Sequence, residues 1–244
     1  MRKLLTFGFI ALVWLSAQPA QAIDLTMTSI GLSNNLGGFY IGPYTVMDDA
    51  SKQTFQVICD DFLADTNIEE SWTANVSNLT ALTGKFADTT TSTTTADSLQ
   101  KYDEVAFLAN TLLSGGSCLL SPVQCAGVNV AGDIQYALWQ VFDSTGVDTA
   151  LSHLSGYDLA DATAWLSLAA SQSYYPGEYS NVVIYTATQC LTGPGCVPGT
   201  ATNLPQEFVA VRTPEPGTLL LFGAALAFIA LYWRPQPVGT DRTN

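Results

Sequence analysis

Positive charge is scarce in this chain of 244 residues: 8 Lys and Arg stand against 21 Asp and Glu, a net charge of −13. Nucleic-acid binding requires clustered cations to neutralise successive phosphates, so that class is excluded. Histidine is scarcer still. His153 alone cannot build a His-rich metal cluster. No phosphate-binding glycine loop occurs, and Gly37-Gly38 and Gly115-Gly116 read as turns. The acidic groups Asp48-Asp49, Asp60-Asp61 with Asp65, and Glu69-Glu70 lack the spacing of a calcium loop and are expected on the solvated surface. Charged residues make up only 12% of the chain and apolar ones 48%, too apolar a balance for disorder and a length suited to one domain. No metal or other cofactor is implied.

Much of the apolar character sits at the two ends. Residues 1–22 begin with Met1-Arg2-Lys3, run through the apolar stretch Leu4 to Leu15 and end in Ala20-Gln21-Ala22, the three parts of a secretory signal peptide. The mature chain is expected to start at Ile23. Near the other end, Thr218 to Trp233 are uncharged and apolar on every helical face, with Tyr232 and Trp233 as interfacial aromatics and Arg234 as a cytoplasmic anchor. This spacing predicts a single transmembrane helix over 218–233.

Directly before that helix stand Pro214-Glu215-Pro216, and the basic residue Arg234 follows it. Tripeptide, apolar helix and basic end, in that order, resemble the PEP-CTERM sorting signal of exosortase substrates in Gram-negative bacteria. The family usually stops just after a small basic cluster, whereas Pro235 to Asn244 follow here with Arg242 as the one further cation. The resemblance implies an exosortase-like sorting enzyme as partner, insertion in the inner membrane, cleavage near the tripeptide, and a final place at the cell surface or outside it.

Residues 23–212 are left as an ectodomain, with 213–244 as the sorting tail. Lys52, Lys85, Lys101 and Arg212 are the only cations from Ile23 to Thr213, against 19 acids, a net −15 that keeps the surface soluble. Asp24 to Thr28 and Thr54 to Cys59 alternate as strands do, placing Phe55, Val57 and Cys59 on one face. Ser98 to Leu113 has helical spacing. Further helices are expected after Asp133 and Asp158 as N-caps, and strand character returns over 181–188 and 206–212. Strands, then helices, then strands give an α+β fold: an antiparallel β domain with a helical insertion.

Five cysteines in an exported chain leave one over. Cys118 with Cys125, and Cys190 with Cys196 across a Gly-Pro-Gly turn, can each close a short disulfide loop in an oxidising compartment. Cys59 then stays a thiol. On a helix, Gln135 lies in the first turn beside Leu138 and Trp139, an amide among apolar neighbours that needs a partner. The pattern Ile134-Gln135-Tyr136-Ala137-Leu138-Trp139, downstream of a cysteine on a strand, resembles the thioester domains of bacterial surface adhesins. The resemblance implies an internal thioester joining the Cys59 sulfur to the Gln135 side-chain carbonyl, shielded from water by Trp139, Tyr136 and Phe62. Attack by an amine or hydroxyl of a surface protein or polysaccharide would leave a covalent crosslink. Such a site reacts once, so adhesion is implied and not enzymatic turnover. At the positions flanking the cysteine the family has an aromatic or Leu and then an apolar residue; this chain has Ile58 and Asp60. Two other readings remain open: a biofilm or matrix protein without this chemistry, and a hydrolase using Cys59 with His153 as base, although no oxyanion motif accompanies them.

Overall fold

The computed structural model describes residues 21–30, 35–87, 94–113, 129–143, 148–212 and 223–226. Eight strands are formed: β1 Gln21–Ser29, β2 Asn35–Leu36, β3 Phe39–Tyr40, β4 Tyr44–Asp48, β5 Thr54–Cys59, β6 Ser71–Asn78, β7 Val182–Thr192 and β8 Phe208–Val211. Three helices, α1 Thr94–Leu113, α2 Val130–Phe142 and α3 Gly156–Ala170, fall between β6 and β7. Six strands close an antiparallel barrel in the order β1-β4-β5-β8-β7-β6, while β2 and β3 form a separate hairpin. The expected antiparallel β domain with a helical insertion is therefore present, and its sheet is a closed barrel.

Alternation along each strand divides the core in two. Leu25, Met27, Val46, Val57, Cys59, Trp72, Ala74, Tyr185 and Phe208 turn into the barrel and join one apolar cluster. Ile58, Val182 and Val209 point the other way and pack with Val105, Leu108, Leu138 and Trp165 of the helices. Strand β5 lies between β4 and β8, and its last residue, Cys59, pairs with Phe208. Helix α2 contributes to both clusters. Tyr136 and Trp139 reach the barrel cluster, whereas Ile134, Ala137, Leu138 and Val141 join the helix cluster. Ten consecutive residues of α2, Gly132 to Val141, are buried, so this helix runs through the middle of the molecule with almost no solvated side.

Several local expectations are corrected. Helix α2 begins at Val130, with Asn129 at the N-cap position, and Asp133 lies inside it, 1% exposed. Packing decided this start, because Gly132 allows Leu36 and Ile41 to approach where a Cβ would meet them at 2.7 and 2.9 Å. Helix α3 begins at Gly156 after Ser155, so Asp158 is a first-turn acid instead of the cap. The acidic groups are not all solvated: Asp60, Asp61 and Glu70 are 0, 1 and 3% exposed.

Of the expected signal peptide, only Gln21 and Ala22 are described. They open β1, opposite Val76 and Asn75 of β6. Cys118, Cys125, Pro214, Glu215, Pro216, Arg234 and nearly all of the 218–233 segment lie outside the described residues. Among the described residues no helix is long and apolar enough to cross a membrane. The Cys190–Cys196 disulfide is formed, with Cα atoms 5.8 Å apart.

Candidate functional site

Cys59 and Gln135, 76 positions apart, meet where the end of β5 passes under the first half of α2. Both are 0% exposed. The Gln135 amide is held at both ends: Nε2 donates to the Cys59 carbonyl at 2.6 Å, and Oε1 accepts from the Gly42 N–H at 3.3 Å. A backbone acceptor at one end and a backbone donor at the other dictate which way the amide faces. Gly42 approaches closely because it has no side chain, since a Cβ there would sit 2.9 Å from Oε1. The segment just before β4 thus supplies a hydrogen-bond donor to the amide carbonyl of a helix residue far along the chain.

The Cys59 thiol forms no disulfide. Its sulfur donates to the Asp61 carbonyl at 3.1 Å and accepts from the Asp61 N–H at 3.3 Å, so the turn after β5 folds back over it. Burial, followed by the neighbouring acids Asp60 and Asp61, pushes the thiol well above its ordinary range, while Trp139 and the Asp61 N–H pull it down. The buried indole Nε1 of Trp139, which influences this thiol, forms no hydrogen bond among the described residues.

Aromatic rings close the space above. Trp139 packs edge-on against Tyr136 at 5.0 Å between centroids and tilts against Phe62 at 5.3 Å. Phe62 in turn touches Phe39 at 4.9 Å. Tyr136 is anchored by its hydroxyl, which donates to the Leu36 carbonyl at 2.7 Å, and Gly37 must be a glycine because a Cβ there would fall 2.3 Å from that hydroxyl. Gly37 and Gly38, both at positive φ, make the tight β2–β3 turn that brings Phe39 to the cluster. The three residues expected to shield the site, Trp139, Tyr136 and Phe62, are thus in one cluster. Phe39 and Tyr44 belong with them and were not anticipated; the Tyr44 hydroxyl donates to the Tyr40 carbonyl at 2.6 Å, and burial, then Cys59, raises its pKa.

His153 lies on the far side of these rings. It closes a short 3-10 helix, Ala150–His153, with its ring 4.9 Å from Phe39 and 5.4 Å from Phe62, and its Nε2 is 2.9 Å from Asp148 Oδ1. Hydrogen bonding to the Cys59 sulfur comes from Asp61 and not from His153. The thiol–imidazole pair required by the hydrolase reading is absent from this arrangement. Among the described residues no group of three or more His, Cys, Asp or Glu side chains converges as a metal site.

Comparison with known proteins gave a structural match and a sequence-motif match. One solved structure similar to this chain is that of the pilus-presented adhesin Spy0125 (Cpa), in a cysteine-to-alanine mutant form, at 13% identity and a TM-score of 0.43. The match covers 81% of this chain and 47% of the adhesin, so the chain spans about half the length of that protein. No curated protein matches the chain. Residues 212–234 match the model of the PEP-CTERM protein-sorting motif. That match contains Pro214-Glu215-Pro216 and Arg234, the residues that suggested it. The chain therefore carries the PEP-CTERM sorting motif, the mark of an exported, surface-sorted protein processed by an exosortase-type enzyme.

Proposed function

We propose that the protein is a surface adhesin that captures its target covalently through an internal thioester between Cys59 and Gln135. The observation that carries this reading is the Gln135 amide, wholly buried and held between the Cys59 carbonyl and the Gly42 N–H. A buried amide whose nitrogen is hydrogen-bonded to the backbone of a free cysteine keeps the two residues in fixed contact, and fixed contact of this kind replaces an improbable encounter by an intramolecular one.

In the first step the Cys59 sulfur adds to Gln135 Cδ. The Gly42 N–H, already on Oε1, stabilises the negative charge that collects there, as oxyanion donors do in acyl transfer. The C–N bond then breaks, the thiol proton leaves with the nitrogen as ammonia, and the thioester remains. In the second step a primary amine or hydroxyl of a protein or polysaccharide attacks the same carbon. The C–S bond breaks, Cys59 recovers its proton, and the target stays bound through an amide or ester. The Trp139, Tyr136, Phe62 and Phe39 rings exclude water, which would otherwise hydrolyse the thioester. The C-terminal motif delivers this domain to the surface, where such a target is met.

Intact mass tests the proposal. The purified protein is expected to be lighter than its sequence by one ammonia, beyond the hydrogens lost to disulfides, and to gain one methylamine on incubation with that amine. Cys59→Ala is expected to show neither change. A wild-type mass accounted for by disulfides alone would sink the proposal and leave a sorted surface protein without crosslinking chemistry.

A further inference from the structure

Two acids directly follow Cys59 in the chain, a poor setting for a sulfur that must carry negative charge on its way to a thioester. The partners of these acids resolve the conflict. Asp60 and Glu207 sit on adjacent strand ends, joined by the Asp60 N–H donating to the Glu207 carbonyl at 3.2 Å, and both are buried at 0 and 1% exposure. Their partners differ sharply. The Glu207 carboxylate accepts from the Tyr102 hydroxyl at 2.6 Å, from the Lys85 N–H at 2.6 Å and from the Thr186 hydroxyl. Among the described residues neither oxygen of Asp60 has an N–H or O–H donor. Three donors suit an anion on Glu207. A buried carboxylate without any is prohibitively placed, so the proton belongs on Asp60, and the Glu207 carboxylate is the neighbouring acceptor for it.

We propose that Asp60 is a positioning residue of the crosslink site, kept uncharged by the proton it shares with Glu207, so that the adjoining thiol can ionise while the end of β5 stays docked on β8. The role rests on the thioester reading given above. It accounts for an acid directly after the cysteine, where the resembling family has an apolar residue: protonated, the carboxyl withholds the charge by which an ionised Asp60 raises the thiol. Burial first, then Glu207 and Asp61, raises the Asp60 pKa well above the carboxylate range, in agreement with the partner geometry. The groups facing Asp60 are Glu207 from β8, Tyr102 from α1, Asp61 from the turn after β5, and Asp143 from the end of α2 across a cavity of about 20 Å³ that Trp139 also lines. Lys85 Nζ is spent on the Asp61 carboxylate, leaving Glu207 as the partner of Asp60.

The test is the pH profile of thioester closure. Ammonia opens the thioester to the original thiol and amide, and after its removal closure is followed by intact mass as the loss of one ammonia. In the wild type the rate is expected to climb with pH as the thiol ionises, and to climb less steeply than a lone thiol would, because Asp60 gives up its proton as pH rises and its charge then opposes the thiolate. Asp60→Asn keeps an N–H for Glu207 but cannot ionise; it should close within about threefold of wild type at neutral pH and climb with the full slope of a single thiol. Should that variant not fold, Glu207→Gln serves: it offers Asp60 an N–H, leaves a charge beside the thiol, and should slow closure about tenfold or more at neutral pH. An Asp60→Asn profile with the wild-type slope, or with closure lost at every pH, overturns the proposal. A second arm separates its failure from that of the thioester itself. In the Cys59→Ala background, where no thioester forms, the melting temperature should fall as pH rises above the ordinary carboxylate range, and adding Asp60→Asn should make the fall shallower. Equal slopes in that arm refute the shared proton, whereas a wild type that has lost no ammonia refutes the thioester and with it this role.

Discussion

Replacing Gly42 by Ala adds one methyl group at the point where the backbone of one segment meets the amide of another. The new Cβ would lie 2.9 Å from Gln135 Oε1 and 3.2 and 3.3 Å from the Tyr44 ring. Neither neighbour has room to retreat. Tyr44 is 4% exposed and tied through its hydroxyl to Tyr40, and the other end of the Gln135 amide is held 2.6 Å from the Cys59 carbonyl. Relief to an ordinary contact therefore moves Oε1 by about half an ångström and breaks its bond with the Gly42 N–H. Overpacking of this kind costs roughly 1–3 kcal/mol of folding stability, several degrees in Tm for a domain of this size. The effect on chemistry should be larger, since removing one preorganised donor from an oxyanion slows acyl transfer by about 10²–10³-fold. The assay has two parts, a thermal melt and the fraction of protein lighter by one ammonia at fixed times after synthesis. A Gly42→Ala protein that melts several degrees early and still forms the thioester at the wild-type rate would refute the assigned donor. One that melts as wild type would refute the packing argument itself.

Gln135→Glu is expected to abolish ammonia loss and to destabilise the fold by about 3 kcal/mol in denaturant titration, because a carboxylate oxygen would then face the Cys59 carbonyl where an N–H now donates. Asp133, buried and near Asp158 and Asp161, has its pKa raised to about 7. Its contribution is fully present below the ordinary carboxylate range and lost as pH rises through about 7, so melting temperature should decline from pH 4 to 7 in the wild type and decline less in Asp133→Asn. Reducing the Cys190–Cys196 bridge, whose cysteines are six positions apart, should cost about 2 kcal/mol, or roughly 4–8 °C, in a melt with and without reductant.

What the residues disclose in advance follows from the range of the interaction involved. Strand β5 is apolar and alternating, and α1 has helical spacing, so both are legible locally. Cys59 and Gln135 stand out because each lacks an obvious partner nearby, and the Gln135 amide finds the backbone carbonyl of Cys59. Strand β6 went unread: Ser71–Asn78 is polar apart from Trp72, Ala74 and Val76, and its pairing with β1 and β7 gives it structure. The start of α2 was misplaced because Asp133 has the chemistry of a cap, whereas contacts of Leu36 and Ile41 over Gly132 carry the helix one turn further back. Gly42 and Glu207 gave no local signal at all. Their roles arise from contacts 93 and 122 positions away, and no short motif contains both partners. Composition alone places the acids after Cys59 in water, whereas Asp60 and Asp61 are buried against the Glu207 backbone and the Lys85 ammonium, contacts that no local pattern discloses.

Barrel closure has a consequence for life in a crowd. Each of its six strands has a neighbour on both sides, so no strand lies at an open edge along its whole length for a second molecule to extend. Proteins delivered in quantity to one surface meet their own copies far more often than any target, and an open sheet among them would invite polymerisation through backbone hydrogen bonds. The ladder margins left over are short: Thr54 to Val57 of β5 and Thr186 to Thr192 of β7 extend past their pairing with β8, and β2 and β3 have two residues each. Closure thus limits the strand margin open to another copy before any surface residue is chosen.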